Sequence, residues 1–423
     1  MAVSVSPVSA ASYSRSSWRD LDWLLLFLVI ALSIWSCATI YSATRPNEDV
    51  FVARPSASSS TASSSTAVDS AGNGASRSAS ARRGARTSDV LKQVIWIALG
   101  LAAIALVAAL DFQLLMHLQF WIYLGTLAIL GLVLALPRSI APVINGAKSW
   151  IILGPLGSLQ PSELAKVGVI ITLAAFLCRR QERIGRASTL VWSLLYITPP
   201  LLLILKQPDF GTMLSVLSIW FGMLFFGGAR LWHLALVAFI GLSLFGAAWK
   251  LNVLKPHQKA RLSVFMDTNP STRAGRDAGY HIKQSQIAIG AGQITGEGFG
   301  RGMQNRGAWV PEKTTDFIFA VVAEELGFVG GAILLLLYLV LLGRSALLAM
   351  TTDNYFGVLI AGGFTSLIAF HAIVNLGMTM RVMPITGVPL PFFSYGGSSY
   401  VAFSLCVGLL QSIALRRKRT SGG

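Results

Sequence analysis

Charge is scarce in this chain: only 12% of its 423 residues are Asp, Glu, Lys or Arg, while 54% are hydrophobic. A soluble chain of this length would divide into about two or three domains with charged surfaces. The mean hydropathy of +0.63 excludes that. Cysteine is nearly absent. Its three residues, Cys37, Cys178 and Cys406, all fall inside apolar runs, so neither a disulfide framework nor a thiolate metal cluster is implied. The five histidines are scattered without ligand spacing. Acidic residues are also few, 18 against 34 basic ones, for a net charge of +16. In a membrane protein such an excess reports topology and anionic lipid first, and no nucleic-acid partner is expected.

What the chain does have is apolar length. Runs span 23–43, 93–110, 118–136, 164–178, 190–205, 212–229, 231–249, 317–342, 355–378 and 400–415. Most approach or exceed the roughly 20 residues a helix needs to cross hydrocarbon. The fold class is therefore all-α, a polytopic integral membrane protein of about ten transmembrane helices. The strands of a β-barrel would be short and alternating. The 190–229 hairpin is the weakest pair. The first run follows Arg15, Arg19 and Asp20 and is too long for a signal-peptide core, so an uncleaved first helix is expected.

An even number of spans puts both termini on one side. Arg416, Arg417, Lys418 and Arg419, with the short loop Arg179–Arg186, then share the side of Arg15 and Arg19, and the positive-inside rule makes it cytoplasmic. The chain divides into a tail at 1–20, a transmembrane domain at 21–415 and a basic tail at 416–423. Two long segments fall outside the cell. Residues 44–90 are rich in Ser, Ala and Arg, too polar to offset chain entropy, and are expected to be a disordered insertion. Residues 251–316, a large loop between the seventh and eighth spans, hold nine basic and five acidic residues. That excess fits an anionic partner. Its Gly290–Gly302 stretch misses the G-x-G-x-x-G spacing and has no βαβ unit around it, so flexible backbone near the membrane is expected rather than a nucleotide site.

Parity brings the starts of the fourth, sixth, eighth and tenth spans to the outer face, and each is polar. The fourth opens Gln160-Pro161-Ser162-Glu163, with Lys166 three residues on. Ser162 is a candidate cap, and Glu163 and Lys166 share a helical face. They can form a structural pair, or leave Lys166 for a substrate anion. The sixth opens Gln207-Pro208-Asp209, where Asp209 suits an N-cap. The eighth begins Lys313-Thr314-Thr315-Asp316, with Glu324 and Glu325 about 12–14 Å deeper at helical rise. The two glutamates are read as structural or pairing residues and Asp316 as the chemical one. Before the tenth span, Met383–Ser399 carries Pro384, Pro389 and Pro391 among aromatics. That composition forbids regular helix and predicts a packed re-entrant or interfacial segment.

These segments together resemble the SEDS family (shape, elongation, division and sporulation), its RodA branch more than its FtsW branch. The resemblance rests on Asn145–Trp150, the QPSELAK and QPDFGT segments, Lys255–Gln258, Gly279–Gly290, PEKTTDFIFAVVAEELG at 311–327, and Asn375–Met378 through PITGVPLPFFSYGGSS. It covers nearly everything except 1–20, 44–90 and the last few residues. Thr314 stands where histidine is common in the family, and Arg381 where glycine is common. The resemblance implies a peptidoglycan glycosyltransferase that polymerises lipid II outside the bacterial cytoplasmic membrane during elongation. It also implies a class B penicillin-binding protein and elongation-complex membrane proteins as partners. The family's essential aspartate falls on Asp316. Lys166, Glu163, Asp209, Gln258, Arg261, Lys313, Gln284 and Ser285 are the candidate substrate-binding residues. Lys166, Arg261, Lys313 or a divalent cation (Mg2+ or Mn2+) is expected to neutralise the leaving pyrophosphate. A lipid II flippase, an O-antigen-ligase-like transferase and a non-catalytic scaffold for the penicillin-binding protein are the alternatives.

Overall fold

The computed structural model describes residues 20–44, 68–143, 147–152, 154, 158–251, 273–307, 309–310 and 312–417, with backbone alone over 68–88, 244–245, 248–249 and 273–278. Every apolar run becomes a helix. In chain order they are α1 (Trp23–Ala43), α2 (Val68–Ala109), α3 (Leu114–Ala135), α4 (Pro161–Cys178), α5 (Ala187–Lys206), α6 (Phe210–Phe226) and α7 (Leu231–Lys250). Outside the span count come α8 (Arg273–Ala291) and the single turn α9 (Met303–Arg306); α10 (Ile318–Thr351), α11 (Tyr355–Thr379) and α12 (Gly397–Leu415) complete the set. Among the described residues eight helices are long and apolar enough to cross a membrane, and α6, at 17 residues, is shorter.

Burial separates the core of the bundle from its lipid-facing wall. The spanning residues of α4, α11 and α12 are 83%, 72% and 78% buried, whereas those of α2 and α3 are each 17% buried. α4 lies against α3, α6, α11 and α12, while α12 packs on α2 and α11 on α6. Small residues allow the close approaches. A Cβ on Gly222 of α6 would run into Ser366 of α11, and one on Gly362 into Phe226.

Two connections differ from the sequence reading. α2 begins at Val68, inside the insertion expected to lack structure, and only Asp89–Ala109 of it is apolar enough to span. Alanine and arginine are good helix formers, so the helix can continue beyond its apolar part; residues 45–67 lie outside the described residues. In the 251–316 loop, α8 packs along α10 and touches α11. Gln258 and Arg261 also lie outside the described residues.

Candidate active site

The starts of α4 and α6 meet through Asp209. It is the N-cap of α6, accepting from the Thr212 backbone N at 3.1 Å and the Thr212 hydroxyl at 2.9 Å. Oδ1 takes the backbone N–H, while Oδ2, which takes the Thr212 hydroxyl, also accepts from Gln160 Nε2 at 2.7 Å and Ser162 Oγ at 3.3 Å. Asp209 is therefore more than a cap. Ser162 does not cap α4: the N-cap is Gln160, and Pro161 takes the first helical position, where its missing N–H leaves no bond unmade.

One turn deeper, Lys166 is 1% exposed and pairs with Glu163 at 2.8 Å. Its ammonium also meets His371 Nε2 of α11 at 3.1 Å, while the other ring nitrogen faces the Pro389 carbonyl at 2.9 Å. A lysine ammonium only donates, and a carbonyl only accepts. His371 is therefore the neutral Nδ1–H tautomer, with Nε2 accepting from Lys166. Ser215 Oγ, 3.2 Å from Nε2, gives its proton to the Gly211 carbonyl at 2.9 Å. Glu163 keeps one buried oxygen, Oε2, without a hydrogen-bond partner. Below this cluster Ile170, Leu173 and Leu177 of α4 are fully buried, with Thr172 buried among them.

The segment between α11 and α12 closes the site from above. It is irregular backbone at membrane depth, which persists only where protein satisfies its polar groups. Helix side chains supply them. The Val388 carbonyl accepts from Asn375 at 2.8 Å, Pro389 from His371, Pro391 from Tyr338 of α10 and Phe393 from Ser36 of α1. Its backbone N–H and side chains bind the loop before α10: Tyr395 N donates to the Thr314 carbonyl at 2.8 Å, and Ser394 Oγ to the Thr315 carbonyl at 2.6 Å.

Asp316 sits in this frame, half-buried, two residues before α10. Its carbonyl accepts from Asn375 Nδ2 at 3.1 Å, so one amide ties it to Val388. Its Oδ2 lies 3.6 Å from where a Cβ on Gly387 would stand, and the Thr386 carbonyl comes 2.8 Å from the corresponding position on Gly211. The starts of α4, α6, α10 and α12 thus converge through Asp209, Gly211, the 386–395 segment and Asp316.

Glu324 and Glu325 belong to a second, neighbouring cluster. α10 breaks at Gly327 (φ 64°, ψ −160°), a conformation reserved for glycine. The break frees backbone groups that pair with the glycine-rich segment: Glu297 N and Gly298 N donate to the Glu324 and Glu325 carbonyls at 3.0 Å each. In return, Phe328 N and Val329 N donate to Gln293 and Ile294 at 2.8 and 3.1 Å. A Cβ on Gly292, Gly296 or Gly302 would strike Ala323, Glu325 or Glu324. The segment expected to be flexible is a packed cradle. The Glu324 carboxylate accepts from the N–H groups of Gln304 and Asn305 at 2.6 and 3.0 Å, and Glu325 from Asn305 Nδ2 at 2.8 Å and from Ser42 of α1.

Lys313 turns toward this cradle, donating to the Asn305 carbonyl at 2.6 Å. Burial lowers its pKa to about 8, against the opposing pull of Glu324 and Glu325. Ser285 of α8 is buried and donates to the Thr379 carbonyl at 3.0 Å, holding α8 to the end of α11. Gln284 beside it is half-buried. Among the described residues no group of three or more His, Cys, Asp or Glu side chains is arranged to hold a metal ion. Sequence reasoning missed His371 and Asn375. Their spacing of four on an apolar helix, one face carrying two amphoteric polar groups, was the available signal.

A family model described as cell cycle protein, covering FtsW, RodA and SpoVE, matches residues 74–419. The peptidoglycan glycosyltransferase RodA of Treponema pallidum is 32% identical, covering 94% of this chain and 98% of its own. The peptidoglycan glycosyltransferase MrdB of Escherichia coli K12 is 37% identical over 66% of this chain and 74% of its own. Among solved structures, a chain from work on coordination of polymerization and crosslinking by a peptidoglycan synthase complex superposes with a TM-score of 0.70 at 31% identity, covering 94% of this chain and 98% of that one. The rod shape determining protein RodA of Thermus thermophilus superposes at 0.62 and 29% identity, covering 95% and 98%. With its model matched across most of the length and relatives aligned almost end to end, this chain belongs to the FtsW/RodA/SpoVE cell cycle protein family, the SEDS family.

Proposed function

We propose that this protein is a peptidoglycan glycosyltransferase of RodA type, polymerising lipid II at the outer face of the cytoplasmic membrane during elongation. The observation that carries the reading is the convergence of four helix starts on Asp316 at the head of a membrane-spanning helix. A lipid-linked sugar presents its reacting bond at that depth, because its tail cannot leave the bilayer.

The reaction joins the 4-hydroxyl of an acceptor N-acetylglucosamine to the anomeric carbon of a lipid-pyrophosphate-linked chain. The hydroxyl loses its proton as it attacks, so a positioned carboxylate is the required base. Asp316 takes that role, its backbone pinned by Asn375 and its loop by Ser394 and Tyr395. The C–O bond to pyrophosphate breaks as the new one forms, with inversion at the anomeric carbon. The leaving group needs positive charge more than a proton. The described residues offer no ready protein cage for a divalent cation, and no step here depends on one. Lys166, already donating to Glu163 and His371, serves to hold α4, α6 and α11 in register around the site. Arg261 remains the candidate for the pyrophosphate. Both termini lie on the cytoplasmic side, and a class B penicillin-binding protein is the cross-linking partner.

A flippase reading asks for a polar path through the bundle. On α4, Ile170, Leu173 and Leu177 are fully buried beneath Lys166 and supply no charged group to such a path. The test is purified full-length protein with labelled lipid II, with and without the transpeptidase, resolved for glycan strands by gel. Wild type should polymerise, and Asp316→Ala should bind lipid II without polymerising it. Equal activity in the variant would sink the base assignment, and translocation into vesicles without polymer would favour the flippase.

A further inference from the structure

At the end of α4 remote from Gln160, the eight-residue connection to α5 folds through a 3-10 turn at Gln181–Arg183 and borders a cavity of about 860 Å³. Arg179, Arg180, Arg183 and Arg186 line it with Glu182 and Trp192. Four guanidiniums face one carboxylate, and among the described residues none of the four forms an ion pair. Holding like charges together in this way is unfavourable unless a counter-anion joins them. Topology alone asks only that basic residues be on this side, not that they surround a cavity.

Two of the arginines are fixed in advance. The Arg180 guanidinium lies over the Phe176 ring at 4.9 Å and the Trp192 ring at 5.7 Å. Arg179 lies against the side-chain amide of Gln119 of α3, which accepts from both guanidinium NH2 groups once the amide is turned to present its oxygen. The cavity also sits where a headgroup would be, because so short a connection between two spanning helices stays at the bilayer boundary. From Trp192 an exposed apolar stripe continues down α5 through Leu195 and Leu202, within about 80° of one another around the helix. Positive charge above and an apolar track below match a charged headgroup on acyl chains, and a soluble phosphate would use only the first.

We propose that this cavity is a binding site for the phosphodiester headgroup of an anionic phospholipid, with its chains lying along α5. The site is at the opposite end of α4 from Glu163 and Lys166, and it stands whether or not Asp316 is the catalytic base.

The full-length protein is delipidated in detergent and supplied with phosphatidylglycerol or phosphatidylcholine. Retained lipid is counted by native mass spectrometry and the unfolding midpoint is followed in parallel. Wild type should retain phosphatidylglycerol and unfold at higher temperature with it, while phosphatidylcholine does neither. The combined Arg180→Gln, Arg183→Gln and Arg186→Gln protein should lose about a hundredfold in apparent affinity, roughly fivefold per arginine. Should that protein not fold, Arg183→Gln alone, an exposed side chain, should lose about fivefold. Arg417→Gln, a charge on the same end of the bundle, should change retention little. Undiminished retention in the arginine variants overturns the site. An equal loss in Arg417→Gln overturns it in favour of diffuse attraction. Stabilisation by glycerol phosphate or inorganic phosphate equal to that by phosphatidylglycerol overturns the lipid assignment.

Discussion

Gly327→Ala is the substitution on which helix propensity and this structure disagree in sign. Inside a regular helix, alanine is favoured over glycine by about 1 kcal/mol. Gly327 lies within α10 by sequence, but its φ of 64° and ψ of −160° belong to glycine alone, and forcing another residue there costs about 1–3 kcal/mol. The added Cβ would meet the backbone N of Gly296 and, at 2.5 Å, the carbonyl oxygen of Ile294. Neither atom can retreat without loosening the four backbone hydrogen bonds that join 293–298 to 324–329, each worth about 1 kcal/mol. Losing two of them on top of the strain gives a destabilisation of about 3–5 kcal/mol. Gly343→Ala supplies the control: it lies in the same helix with nothing within 4 Å of its Cβ position, and should be neutral or stabilising by up to about 1 kcal/mol. Thermal unfolding of both variants in the same detergent measures the contrast, and hydrogen exchange over 292–306 should rise only in Gly327→Ala. The reasoning is refuted if Gly327→Ala unfolds at or above the wild-type temperature.

Other consequences are open to equally direct measurement. Asp316→Asn should fold normally and lose about 10²–10⁴-fold in polymerisation rate, measured with labelled lipid II. Lys166→Met leaves Glu163 charged and buried, so it should destabilise by about 3–5 kcal/mol in chemical unfolding, and adding Glu163→Gln should recover part of that. Lys313 has a folded-state pKa near 8, below the usual lysine value, so the unfolded chain binds the extra proton between about pH 8 and 10.5. Stability should therefore rise with pH across that window in wild type and stay flatter in Lys313→Met, as read from unfolding midpoints. Arg381→Gly should stabilise by up to about 1 kcal/mol in the same assay, because Arg381 holds a φ of 60°.

That last position shows how much the sequence carried without explaining. Arg381 stood out against the family's glycine, and the reason is the end of α11. Val382 N donates to the Gly377 carbonyl at 2.7 Å and Arg381 N to Met378 at 3.2 Å, the Schellman pattern whose left-handed residue is usually glycine. The spans and the polar helix starts were legible because hydropathy and parity are one-dimensional. The glycine-rich segment was misread for a physical reason. Glycine permits both mobility and close backbone approach, and only the break at Gly327, invisible to hydropathy, decides between them. Ser162 and Asp209 likewise looked like two separate caps, because sequence spacing cannot show that 47 residues of separation close to 3.3 Å. His371 gave little away in the chain because the side chains that meet its Nε2, Lys166 and Ser215, are 205 and 156 residues from it.

The segment before α12 also sets the order in which a newly made chain completes its site. Ser36 is made early, yet the Phe393 carbonyl it holds is 357 residues behind it. Asp316 reaches the membrane with α10, while Ser394, which binds the adjacent Thr315 carbonyl, follows 79 residues later. At about 5–20 residues per second, Asp316 waits on the order of 4–16 seconds for its upper wall. A chain cut short before Thr386 would carry Asp316 without the segment that frames it.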